Sequence, residues 1–232
     1  MSPRTPRLPK VRPPAPDGVD TPWRLFLAVP LPEEVRLLIG HEISSLRHEG
    51  WPVRWVQPET AHLTLQFLGE AARERAELLR LALPEIVAAH KRFELRTAAL
   101  GVFPHFRRPR VLWLGLHGPI HRLAALQADI GRASLALGFA AGDASYHPHL
   151  TLGRVRNDDG EGVRLRDLPD AIKGRFVDRG SGAAIAPPAT PVPVREVVLF
   201  RSHLGKDGAR HEPIASFPLA VSASHDASAT AP

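Results

Sequence analysis

The chain has 232 residues, 44% of them hydrophobic and 23% charged, enough to bury a sizeable core in one large domain or two small lobes. It has no cysteine, which excludes disulfides, thiolate metal sites and a cysteine nucleophile and favours a cytoplasmic compartment. No apolar run approaches the roughly 20 residues that span a bilayer, and the N-terminus lacks the apolar stretch of a signal peptide, so no membrane association is expected.

In chain order, residues 1–20 alternate Arg4, Arg7, Lys10 and Arg12 with prolines and are expected to form a disordered basic tail. Arg24 to Val29 reads as a short apolar strand. Pro32, Glu33 and Glu34 then open a helix running to about His48, since proline and acidic side chains suit a first turn. Ala61 to Leu68 reads as a strand closed by Gly69, and Ala71 to His90 as a helix that Pro84 should kink or divide. Strands over Phe93 to Val102 and Arg110 to Leu116 flank the turn-rich Pro104 to Pro109, and a helix over Ile120 to Leu137 ends at Gly138. Beyond Arg154 the pattern weakens. A turn at Asn157 to Gly160, a short helix near Leu168 to Lys173 and an insertion loop over Gly180 to Pro191 are expected. A closing hairpin of Val194 to Phe200 and Ile214 to Leu219 follows, joined through Gly205 to Gly208. Residues 221–232 read as a disordered C-terminal tail, leaving 21–220 as one domain.

The most informative feature is a repeated tetrapeptide, His-Leu-Thr-Leu, at His62 to Leu65 and again at His149 to Leu152. Residues two apart on a strand share a face, so each copy offers an imidazole and a hydroxyl on one side and leucines to a core on the other. The surrounding strand and helix order suggests an internal duplication whose halves share a cleft. Imidazole titrates near neutrality, so a pair can divide acid and base duties. Opening a phosphodiester needs both at once: a base for the attacking water and an acid for the departing oxygen. Thr64 and Thr151 are placed to donate to the non-bridging oxygens. The scheme requires no metal and no other cofactor. The formal net charge of +6 agrees with a polyanionic substrate.

These residues and their context resemble the two-histidine (2H) phosphoesterases, and among them the bacterial and archaeal RNA 2′,3′-cyclic phosphodiesterases, which also carry the name 2′-5′ RNA ligases. The resemblance runs over about residues 23–220. It rests on Arg24 to Ala28, Trp55, His62 to Glu70, Gly101 to Pro104, Pro109 to Trp113, Pro148 to Arg154 and Val198 to Ser202 before Gly208. It implies a bilobal α+β fold: two pseudo-symmetric antiparallel β-sheets lining a central cleft, with helices on the outer faces. It further implies metal-independent hydrolysis of RNA 2′,3′-cyclic phosphate ends to a 2′-phosphate, with His62 as proton donor to the 3′-oxygen and His149 as proton acceptor from water. The partners so implied are RNA ends or cyclic nucleotides, with no obligate protein partner. A small cyclic nucleotide or a 2′-5′ linkage, ligation included, is the alternative substrate, and a non-catalytic RNA-end-binding module the alternative function.

Further positions follow from the resemblance. Arg154 is a phosphate contact, although strict alternation puts it on the Leu152 face unless a bulge or the strand end re-aims it. Phe26 and Trp55 suit base stacking as well as core packing, with core the stronger expectation. The family frequently has Tyr where this chain has His211, at a position expected to meet base or ribose. His147 with His149 makes a His-x-His pair, but no third ligand accompanies it. His105, His117, His121 and His203 read as surface or turn residues. Arg107, Arg108 and Arg110 form a basic run, either a solvated loop or an RNA contact.

Overall fold

In the computed structural model, residues 21–142, 146–156, 189–205 and 208–221 are described. Nine strands and three helices alternate along them: β1 (Trp23–Pro30), α1 (Glu33–Arg47), β2 (Val53–Trp55), β3 (His62–Ala71), α2 (Arg73–Ala88), β4 (Phe93–Phe103), β5 (Val111–His117), α3 (Ile120–Ala136), β6 (His149–Val155), β7 (Pro191–Val194), β8 (Glu196–Gly205) and β9 (Gly208–Pro218). The protein is therefore α+β, as expected. The turn at Asn157, the helix near Leu168 and most of the Gly180 to Pro191 loop lie outside the described residues.

Each helix buries one stripe. Val35, Ile39, Ile43 and Leu46 of α1, Ala76, Leu79, Leu83 and Val87 of α2, and Leu123, Leu126 and Ile130 of α3 recur at three- and four-residue spacing. They meet the leucines and valines of the strands in one continuous core. Pro84 does not divide α2. It sits on the solvent side between Leu83 and Val87, and the packing of that apolar stripe holds the helix through it.

The strands form one sheet rather than two separate ones. Its order is β7-β4-β5-β6-β3-β1-β8-β9, with β2 added to the end of β6, and the described pairings are antiparallel. The expected pseudo-symmetry survives within it: β6-β5-β4-β7 and β3-β1-β8-β9 are two half-sheets. In each, the motif strand lies innermost. The two motif strands pair at Leu63 and Leu150. Two buried leucines at the centre of the core join the edges because each strand would otherwise leave a bare edge beside the other.

The element boundaries depart from expectation where the partner strand, and not the local pattern, decides. Gly69 does not close β3. It adopts a positive φ of 74° at a bulge, and the strand continues to Ala71 opposite Trp23. The three residues of β2 are a strand because β6 offers them an edge, and β7 is taken up by β4 in the same way. The closing hairpin is longer than expected, running from Glu196 opposite Pro218 to Gly205 opposite Gly208.

Candidate active site

The two tetrapeptides start the two central strands, His62 at the head of β3 and His149 at the head of β6. In both, the leucines are buried at 2% exposure or less, and the His and Thr side chains are half-buried on the opposite, concave face. The antiparallel register fixed by Leu63 and Leu150 sets His62 beside Thr151 and Thr64 beside His149. Thus all four motif side chains lie on one face at the seam between the half-sheets.

Each imidazole is held the same way. His62 Nδ1 lies 2.9 Å from the carbonyl oxygen of Thr60, and His149 Nδ1 lies 2.7 Å from that of His147, in each case two residues upstream. A carbonyl only accepts, so Nδ1 carries the hydrogen in both rings and Nε2 is left as the nitrogen able to take or give a proton. Burial pushes the His62 imidazole down from its usual 6.5 to about 4; the Thr60 carbonyl opposes this and the neighbouring His211 adds to it. His149 is also lowered, by burial first, with the charge of Arg154 and the nearby His147 adding to the effect against the pull of the His147 carbonyl. Both rings therefore favour the neutral form at neutral pH.

Aromatic side chains back both histidines. The His62 ring lies 4.7 Å from Phe26, which stacks in turn on Phe200 at 5.2 Å. His211 stands edge-on to His62 at 5.2 Å, so this position of β9 does reach the site. On the other half, Phe103 meets His149 edge-on at 4.9 Å and contacts Trp113 at 5.0 Å. Gly101 makes room for that tryptophan, since a Cβ there would fall 2.3 Å from its ring. Tyr146 ties the halves together by donating its hydroxyl hydrogen to the Thr64 carbonyl at 3.0 Å, and burial raises its pKa.

Arg154 joins this face because of a bulge. Leu112 pairs with Gly153 and Trp113 with Thr151, so Leu152 is an extra residue. Alternation reverses across it: Leu152 and Gly153 are both buried and Arg154 is exposed on the side of His149. The same device operates in β3, where Ala28 pairs with Thr64 and Leu27 with Gln66. It turns the Gln66 amide into the core against α3 and brings Phe67 to the histidine side, 61% exposed and 6.2 Å from Phe26. Phe67 and Arg154 are thus equivalent residues, each five after its histidine.

Phe26 and Trp55 take the core role, the stronger of the two expectations for them. Phe26 is on the right face but only 3% exposed, covered by His62, Phe200 and His211, with no ring face left for a base. Trp55 pairs with Gly153 on the opposite side of the sheet and packs against the core. Phe67 is an exposed aromatic on the histidine side, and only the bulge brings it there. His105, His117 and His121 are exposed, and His203 pairs with Glu212 at 2.7 Å. Among the described residues no three His, Asp or Glu side chains gather as a metal site.

Residues 37–205 match the family model described as the 2′-5′ RNA ligase superfamily. The chain belongs to that superfamily. An RNA 2′,3′-cyclic phosphodiesterase of Methanothermobacter thermautotrophicus is 31% identical over 185 residues, covering 80% of this chain and 92% of its own. The apo crystal structure of Escherichia coli LigT superposes with a TM-score of 0.61 at 27% identity, over 87% of this chain and 99% of LigT. LigT in complex with 3′-AMP gives a TM-score of 0.62 at 27% identity, over 85% and 98% of the two chains. The two half-sheets, with a histidine motif in each, are this superfamily member's most distinctive architectural feature.

Proposed function

We propose that this 2′-5′ RNA ligase superfamily member hydrolyses RNA 2′,3′-cyclic phosphate ends to a 2′-phosphate. The observation that carries the reading is the seam between β3 and β6, where two neutral histidines, each with Nδ1 tied to its own backbone and Nε2 free, lie on one face with two threonines. The relatives' names supply the substrate class.

In the proposed reaction, His149 Nε2 takes a proton from water as its oxygen adds to phosphorus. The bond from phosphorus to the 3′-oxygen breaks, and that oxygen receives a proton from His62 Nε2. A 2′-phosphate and a free 3′-hydroxyl result, and the two rings exchange protons with solvent to reset. Thr64 and Thr151 donate hydrogen bonds to the non-bridging oxygens, and Arg154 adds positive charge beside them. Burial disfavours a standing imidazolium, so the acid gains its proton as the anionic phosphate enters. The negative charge raises both pKa values there. Phe67 offers its ring to the terminal base, and His211 contacts the base or ribose from the His62 side.

Residues 21–220 act as a single bilobal domain in this reading, supported by the continuous core under both half-sheets. A cytoplasmic location accords with the cysteine-free sequence. Among the described residues no helix is long and apolar enough to cross a membrane.

The test is product chromatography after incubation, in excess EDTA, with an RNA oligonucleotide ending in a 2′,3′-cyclic phosphate. A 2′-phosphate end is expected. A 3′-phosphate end would reverse the regiochemistry, and no conversion would overturn the reading.

A further inference from the structure

Away from the motif residues, two like charges meet on the short β2–β6 ladder. Arg54 pairs directly with Arg154 across it. Cross-strand partners project to the same side, and like charges placed opposite each other destabilise a sheet. The ladder continues one step, with the Arg156 N–H donating to the Pro52 carbonyl at 2.8 Å, and alternation returns the Arg156 side chain to the face of Arg154. All three arginines are exposed. Three other arginines meet carboxylates, Arg80 with Glu77, Arg96 with Glu94 and Arg132 with Asp129. Among the described residues Arg54, Arg154 and Arg156 form no ion pair and no side-chain hydrogen bond.

Position gives the cluster a direction. Thr151 and Arg154 share one face of β6, the bulge at Leu152 having brought Arg154 into line, and Arg156 follows just past the end of the strand. The line starts at the seam that holds the histidines and runs outward for about 15 Å, at ~3.3 Å per residue. Arg54 widens it on the β2 side. A polyanion relieves such a repulsion, and one that begins at the phosphate site and continues outward is a nucleic acid strand.

We propose that Arg54, Arg154 and Arg156 form a track for the sugar-phosphate backbone of the RNA leading to the cleft, so that an oligonucleotide end is preferred over a mononucleotide cyclic phosphate. This rests on the proposed phosphodiesterase reading for its substrate. Arg154 serves both the reacting phosphate and the start of the track; Arg54 flanks it on β2, and Arg156 lies two residues further from the seam.

The experiment compares the full chain with an Arg54→Gln, Arg156→Gln double variant and with an Arg47→Gln, Arg195→Gln variant that loses the same charge from other exposed positions. Binding of a short fluorescent RNA ending in a 2′-phosphate is followed by anisotropy over a salt series. Turnover of a cyclic mononucleotide is measured alongside. The track predicts roughly tenfold weaker binding for the first variant at low salt. Its slope of log K against log salt should be shallower by about 1.4, at ~0.7 for each backbone phosphate of a single strand that no longer meets a cation. Mononucleotide turnover should be unchanged, and the Arg47/Arg195 variant should bind like wild type. Equal binding and equal slope for wild type and the Arg54/Arg156 variant would overturn the proposal. So would an equal loss in the Arg47/Arg195 variant, which would reduce the effect to net charge. Failure of the wild type to turn over any cyclic phosphate would strike the phosphodiesterase reading instead, and the anisotropy series would still decide the track.

Discussion

Leu63 faces Leu150 where the two motif strands pair, and that buried pair sets the geometry of the site without contributing an atom to it. Its register places a histidine beside the other motif's threonine on both sides of the seam. Shifting either strand by one residue would turn its His and Thr into the core and its leucines outward.

The pair predicts a shared loss. His62→Ala and His149→Ala should each lower kcat on a cyclic-phosphate RNA end by about 10³-fold, within the range for removal of a positioned acid or base. The double variant should be little worse than either single one, because the two act in the same step. Rapid-quench or steady-state product analysis checks this, with circular dichroism confirming the fold. A simple product of the two losses would show that the histidines work independently.

The pH dependence follows from the depressed pKa values. In the proposed mechanism the productive free enzyme carries one proton on the pair, and both groups are lowered below 6.5, His62 to about 4. The profile of kcat/KM should therefore be bell-shaped with its maximum on the acid side of 6.5, the two apparent values belonging to the pair. A profile that climbs steadily to pH 9 would rule the two-imidazole scheme out.

Stability carries the same signature. A histidine whose pKa is lower in the folded state binds its proton preferentially when unfolded, so its neutral, buried form contributes stability that is fully present above 6.5 and is lost as pH falls toward about 4. Wild type should lose denaturant resistance across that window. His62→Gln, which has no proton to gain, should flatten the loss while retaining a donor for the Thr60 carbonyl. Urea titrations at pH 4, 5 and 7 make the comparison.

Phe67 is an exposed aromatic on the histidine side of the sheet. Phe67→Ala should weaken binding of a 2′-phosphorylated RNA end by about 1–3 kcal/mol, the usual worth of one stacked base. Its exposure means the fold should barely notice. Phe26→Ala should instead lower stability by about 3–5 kcal/mol, as for a buried aromatic. Isothermal calorimetry and thermal melts separate the two.

Gly153 has a packing reason to be glycine. A Cβ there would lie 2.5 Å from Val53 Cγ1 and 3.0 Å from the Trp55 ring, both on β2. Gly153→Ala should push β2 off β6 and cost about 1–3 kcal/mol, the range for overpacking a core. Differential scanning calorimetry reads the loss directly.

The sequence by itself determined the face on which each motif presents its histidine and threonine. Two His-Leu-Thr-Leu copies, each with the two-residue alternation of a strand, already specified which side chains face a cleft and which face a core, because that periodicity is a property of the backbone. The helices were legible for a similar reason, their apolar stripes being local. What only the tertiary structure decided lies where two strands must agree. The bulges at Leu65 and Leu152 reverse the alternation, bringing Phe67 and Arg154 to the histidines and sending Gln66 inward. Neither bulge has a mark in its own strand, since a bulge is a mismatch in count between partners. The fusion of two half-sheets at Leu63 and Leu150, the recruitment of β2 and β7, and the burial of Phe26 beneath His62 arise in the same way. Each depends on which edge or ring lies opposite, and that is settled by packing among residues far apart in the chain.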